Sequence, residues 1–309
     1  MNWVRILLFI CLTPVLVVNA QSHLATDSSV IVIPHWKKGE IHKVSIKSST
    51  SDFLQGKSKE SLSTSSAEFT IVEKDTSGYT LAWEYREAAL ANNEMTIENH
   101  LLANTLHLTL LIKLSITGKF QELLNVDEVK PAIDKAVDRL LENNAANNAL
   151  NMQFKAAKQM ITTKQGLEIV LLKQIKFYFF SFGYKYKTNF VQTNNIIFPS
   201  PVGGKPFNAT EKVELTQLNQ LNNTCTIETN KQVNINELKN EIIEYLKKVS
   251  KKDTKSIETE LAGNDLQFSE KSMQQIDFVT GKVLNSSFTR KMYLGFQNRT
   301  TLLEIKTVN

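Results

Sequence analysis

The stretch "LHLTLLIKLSI", residues 106–116, decides how this chain reads. Leu106, Leu108, Leu110, Ile112, Leu114 and Ile116 occupy every second position, with His107, Thr109, Lys113 and Ser115 among the residues between. Side chains of a strand alternate between two faces, so this period sets one face on a core and the other in water. The same alternation recurs outward in both directions. Towards the N-terminus it runs through His42, Val44 and Ile46, through Ala67, Phe69 and Ile71, and through Tyr79, Leu81, Trp83 and Tyr85. Towards the C-terminus it returns in Phe288, Arg290, Met292, Leu294 and Phe296, then in Leu303 and Ile305. Turn signals separate these runs: "DTSGY" at 75–79, "QNRT" at 297–300, and a Thr-Gly-Lys triplet at both 117–119 and 280–282. Glycine tolerates the positive φ of a tight turn and a flanking lysine keeps its tip solvated, so the triplets predict hairpins rather than a binding motif.

Helical spacing is confined to a few places. Residues 125–144 place Val126, Val129, Ile133, Val137, Leu140 and Leu141 on one stripe. Asn125 and Glu128 suggest a capping box there, and Pro131 suggests that the regular helix starts late. Residues 164–182 read as one helix stopped by Gly183. Residues 234–252 read as another, capped by Asn234 with Glu237 three positions on, and 94–105 as a shorter one. The order of strands, helices, loop, helix and strands predicts an α+β fold of twisted antiparallel sheets, built from hairpins and packed by several amphipathic helices. The doubled Thr-Gly-Lys hairpin suggests two related halves. The expected organisation is a signal peptide at 1–20, an N-terminal half at 21–197, a Pro/Gly-rich connection at 198–210 and a C-terminal half at 211–309, packed as one unit. Residues 48–68, rich in Ser, Thr and Lys, read as a long exposed loop or hairpin tip.

The chain opens "MNWVRILLFICLTPVLVVNAQ", with one basic residue, an apolar core and small residues at Val18 and Ala20. That pattern predicts a secretory leader cut after Ala20, with a retained anchor as the alternative. Lipidation at Cys11 is disfavoured because Ile10 precedes it. Of the two cysteines only Cys225 would survive the cut, so the exported chain relies on core burial instead of disulfides. The formal charge of +5 is mild, and no aromatics interleave with the basic residues, which speaks against nucleic acid as a partner.

Catalytic signatures are few. "QGKSKE" at 55–60 lacks the earlier glycine and following apolar helix of a phosphate-binding loop, and neither Gly-x-Ser-x-Gly nor His-Glu-x-x-His occurs. No histidine has a cysteine or carboxylate at ligand spacing, so neither a metal nor another cofactor is expected. The candidates for acid–base chemistry are Asp277, Asp127 and His42. "FYFFSFGYKY" at 177–186 carries more aromatics than one buried helix face needs. With Tyr178, Phe179 and Phe182 in the core, Phe177, Phe180, Tyr184 and Tyr186 remain as candidate lining for an apolar ligand.

Taken together, "HWKKGEIHKVSIKSS", "SGYTLAWEY", "LLIKLSITGKFQELLNVDEVK", "FPSPVGGKPFNATEKVEL" and "IDFVTGKVLNSSFTRKM" resemble a family of uncharacterised exported bacterial proteins, many of them lipid-anchored. The resemblance implies an envelope protein and supplies no catalytic residues. The leading expectation is a non-catalytic exported protein, periplasmic or extracellular, that binds a partner protein or an apolar ligand. The alternative is a hydrolase of unfamiliar signature.

Overall fold

The structure, a computed structural model, describes residues 25–308 except 27, 55, 91–96, 146–147, 199, 201–204, 251–253, 263–265 and 295–296. The expected leader at 1–20, with Cys11, lies outside the described residues. The elements run β1 (Ala25–Thr26), β2 (Ser29–Val32), β3 (Ile41–Leu54), β4 (Lys57–Lys74), β5 (Gly78–Leu90), α1 (Ile97–Asn104), β6 (Leu110–Ser115) and β7 (Phe120–Leu123). Next come α2 (Val126–Asn143), α3 (Asn148–Met160), α4 (Lys164–Leu171), α5 (Lys173–Tyr178), β8 (Tyr184–Lys187) and β9 (Val191–Phe198). The remainder is β10 (Phe207–Asn219), β11 (Thr224–Val233), α6 (Ile235–Ser250), α7 (Thr254–Ala262), β12 (Gln267–Asp277), β13 (Lys282–Tyr293) and β14 (Gln297–Val308).

Eleven strands form one antiparallel sheet in the order β7-β6-β5-β4-β3-β14-β13-β12-β11-β10-β9, and β1, β2 and β8 form a small second sheet. This corrects the expected α+β fold. The protein is mainly antiparallel β, with 52% strand against 26% helix, and its helices cover a single large sheet rather than packing several smaller ones. The excess strand comes largely from polar sequence. The Ser/Thr/Lys-rich residues 48–68 continue β3 and β4 with unbroken pairing as far as Leu54 opposite Lys57. A ladder needs backbone partners on each side, not apolar side chains, so a strand persists where alternation has faded. Gly56, with φ 79°, lies in the turn of that hairpin. The stretch "QNRT", expected as a turn, already belongs to β14.

The helices also differ from their sequence pattern. α2 starts at Val126 with Pro131 inside it. The Asn125 side chain is committed elsewhere, accepting from Leu111 N at 2.9 Å and donating to Thr109 O at 2.9 Å, so it pins the helix to β6 and does not cap it. The helix expected over 164–182 breaks at Leu172 into α4 and α5. Asn234 does cap α6, accepting from Asn236 N and Glu237 N at 3.1 and 3.3 Å. α3 and α7 are additional. Among the described residues no helix is long and apolar enough to cross a membrane.

Two apolar clusters lie on the inner face of the sheet. The larger joins β3–β6 and the ends of β11–β14 to α2–α5 and β2, and the smaller joins β9–β13 to α6 and α7. The strap at 33–36 closes one end of the larger cluster. Trp36 is 1% exposed and meets the rings of His42, Phe69, Tyr79, Phe179 and Phe182 at 5.5–5.9 Å. Tyr79 Oη donates to Pro34 O at 2.9 Å, and Lys74 Nζ to Trp36 O at 2.9 Å. Both Thr-Gly turns close beneath this strap. Gly118 and Gly281 have φ of 86° and 68°, and a Cβ on them would stand 2.8 and 2.6 Å from atoms of Pro34. The repeated glycine thus answers two demands, a left-handed turn and the close passage of one proline.

Candidate functional site

The inner face of the sheet is interrupted between its two clusters by a row of polar residues. Strand register places Asn194, Glu211, Lys231, Glu270, Arg290, Thr301, Thr50 and Ser61 side by side across eight neighbouring strands. Cross-strand partners share a face, and so do residues two apart on one strand, so the row faces the same way as Phe288 and Met292 on β13. Glu270 is only 6% exposed and pairs with Arg290, whose Nε lies 2.6 Å from its Oε1. Lys231 Nζ stands 3.7 Å from Glu270 and 3.8 Å from Glu211. Both cations are about one-third exposed, so the floor is wet rather than sealed.

Aromatic rings rise on both sides of this floor. The Arg290 guanidinium lies 5.6 Å from the Phe288 ring and 5.8 Å from Phe268. Phe288 meets Phe177 edge-on at 5.9 Å, and Phe177 stacks on Phe180 at 5.5 Å. On the other side Phe268 meets Phe198 at 5.1 Å. A guanidinium held between two rings is attracted to both faces and is poorly hydrated, which suits it to an amphipathic site.

The candidate lining residues divide. Phe177 and Phe180, both half-buried, belong to this aromatic wall. Tyr186 is buried, its hydroxyl donating to Ser181 O at 2.9 Å. Tyr184 is exposed at the small sheet, with Lys119 Nζ 3.8 Å above its ring. The site residues that sequence reading missed are Lys231, Glu270 and Phe268. Arg290 was placed on a strand face without a role. Only Arg290 carried a local signal, a charge at an inward position between Phe288 and Met292.

The acid–base candidates are dispersed. Asp277 ends β12, where its Oδ1 accepts from Val279 N and Thr280 N at 2.9 and 3.1 Å and shapes the second Thr-Gly turn. Asp127 is exposed in the first turn of α2, where an acidic side chain suits the helix dipole. His42 is buried, stacked on Phe69 at 4.6 Å, with Nε2 3.0 Å from Glu40 Oε1. The carboxylate beside this histidine is therefore Glu40, which also accepts from Lys37 N at 2.9 Å, and neither aspartate. Burial pushes the Cys225 thiol up to about 12, with the Asp277 charge adding to it. Such a thiol is a packed side chain, not a nucleophile. Among the described residues no three His, Cys, Asp or Glu side chains gather closely enough to hold a metal.

Burial lowers the pKa of His42 below its ordinary 6.5, more strongly than Glu40 raises it, and burial lowers His35 and His100 as well. The folded chain resists protonation at these sites while the unfolded chain takes up protons below pH 6.5. Their contribution is thus whole above 6.5 and is lost as pH falls from there towards the depressed folded values. The thermal midpoint should drop between about pH 7.5 and about pH 5.5, and His42→Gln should make the drop shallower. Calorimetry across that range checks this, and an equally steep drop in the variant would remove His42 as a cause.

No family model matches this chain, and no curated protein matches it in sequence. Among solved structures it is similar to a lipovitellin chain, from work on lipid–protein interactions in lipovitellin, with a TM-score of 0.42 and 10% identity. The match covers 88% of this chain and 25% of the lipovitellin chain, so this chain spans about a quarter of that protein's length. A likeness of that degree decides nothing about the present site.

Proposed function

We propose that this is a non-catalytic, exported protein of the bacterial envelope that holds an amphiphile on the inner face of its sheet, between the two clusters. The observation that carries the reading is Arg290, paired with buried Glu270 and flanked by the Phe268 and Phe288 rings. An apolar tail would lie along Phe288, Phe177 and Phe180, and a polar head would meet Lys231 and Arg290. Rings supply apolar area without fixing a ligand's exact outline, while the charges fix its orientation. Export rests on the expected leader at 1–20 and on the resemblance to exported bacterial proteins.

The test is titration of the chain from residue 21 onward with a fluorescent long-chain fatty acid. Saturable binding is expected, and Phe177→Ala with Phe288→Ala should weaken it about tenfold, equivalent to ~1.4 kcal/mol. Circular dichroism of the double variant establishes that it is folded. Absence of saturable binding, or a folded double variant that binds unchanged, would overturn the proposal.

A further inference from the structure

A separate cleft of about 340 Å³ opens between the end of α1 and the flank of α2, and none of its lining residues belongs to the charged row. Its cations are Lys135 and Arg139, the His107 imidazole lies among its lining, and Leu106 and Leu108 give it an apolar wall. Lys135 and Arg139 are one helical turn apart, so they project from the same stripe of α2. Asp134 and Asp138 occupy the neighbouring stripe. There Asp138 pairs with Lys158 of α3, and the two aspartates together raise that lysine's pKa. Asp138 is thus engaged with α3, and Lys130 donates to Thr162 O at 3.2 Å, while the other two cations of α2, Lys135 and Arg139, line the cleft. Among the described residues neither Lys135 nor Arg139 meets a carboxylate.

One local explanation would be that these cations serve the carbonyl end of α1. That end is already served. Asn104 Nδ2 donates to His100 O at 2.9 Å, Thr105 Oγ1 to Leu101 O at 2.7 Å, and Thr105 N to Leu102 O at 3.2 Å. The chain also bends here at a cost. His107 holds φ at 64°, a left-handed value uncommon outside glycine, and its N–H donates to Tyr85 O at 2.9 Å. That conformation turns the chain just before β6 and presents the imidazole at the cleft opposite α2. Unpaired Arg and Lys beside a histidine form a donor set suited to a phosphate, and arginine can grip two of its oxygens at once. The cleft is much larger than one phosphate, and its leucine wall suits attached carbon.

We propose that this cleft binds the phosphate group of an organic phosphate, either a soluble phosphomonoester or a phospholipid headgroup. The experiment uses the chain from residue 21 onward. Calorimetric titration with glycerol phosphate and with inorganic phosphate is run beside flotation with phosphatidylglycerol and phosphatidylcholine vesicles. A Lys135→Gln, Arg139→Gln variant is compared with Lys185→Gln, Lys187→Gln, which removes the same charge from β8. Binding should weaken at least about tenfold in the first variant and hold in the second. Titration by soluble phosphates without vesicle capture identifies a soluble ligand, and capture by phosphatidylglycerol vesicles identifies a headgroup. Equal losses in both variants, which would signal general surface charge, or no binding in any arm, would overturn the proposal.

Discussion

Trp36→Ala is expected to destabilise the protein by about 3–5 kcal/mol, the range for deleting a large buried aromatic. The indole is 1% exposed, and five rings surround it without room to collapse into the gap. The loss extends beyond apolar area. Trp36 anchors the strap whose Pro34 carbonyl receives Tyr79 Oη, and whose backbone covers both Thr-Gly turns. Freed, the strap would uncover Phe182 and the turn at Gly281 together. Thermal or urea unfolding measures the effect, and a change below about 1 kcal/mol would show that the strap is not a working part of the core.

Gln274→Leu should cost about 2–4 kcal/mol, although it introduces a more apolar side chain into an apolar setting. Gln274 is fully buried on β12. Its Nε2 donates to Tyr178 O at 2.7 Å and to Ser286 Oγ at 2.8 Å, and its Oε1 accepts from Ser181 Oγ. One amide therefore joins the end of α5 to β12 and β13. Leucine would fill the volume and leave a carbonyl and two hydroxyls without partners, which is costlier than losing one exposed hydrogen bond. Denaturant unfolding of Gln274→Leu beside Ser286→Ala separates the network from the volume. Near-neutral behaviour of the leucine variant would mean that water replaces the amide.

These two residues mark the boundary of what the sequence discloses. Trp36, in a segment with no alternation, carried no sign of being a core residue. Gln274 sat among polar neighbours in "SMQQID". Val44, Ile46, Phe69, Ile71, Leu81 and Trp83 were readable because period two and apolarity coincide in them, and all are buried. Leu106 and Leu108 kept the alternation, yet β6 begins only at Leu110, because His107 turns the chain with a positive φ. Alternation reports which face a side chain takes and not whether its backbone has a partner. The same gap hid the outer half of β3 and β4, where serine and threonine keep the ladder without an apolar signal. It also hid the charged row. Glu211, Lys231 and Glu270 look like solvent positions until register sets them beside one another on the inward face. Sheet order, which brings the first long strand against the last, has no local signature at all.

The single sheet, and the continuation of the polar row from Arg290 and Thr301 on to Thr50 and Ser61, require that β3 and β14 be neighbours. Ile46 and Ile305 are directly paired there and buried on the inner face, although 259 positions separate them in the chain. The most direct test is a methyl–methyl nuclear Overhauser spectrum of isoleucine-labelled protein. A strong cross-peak between Ile46 and Ile305 is the expected result. Its absence, with both methyls assigned and observed, would separate the two groups of strands, end the polar row at β14 and contradict the single eleven-stranded sheet.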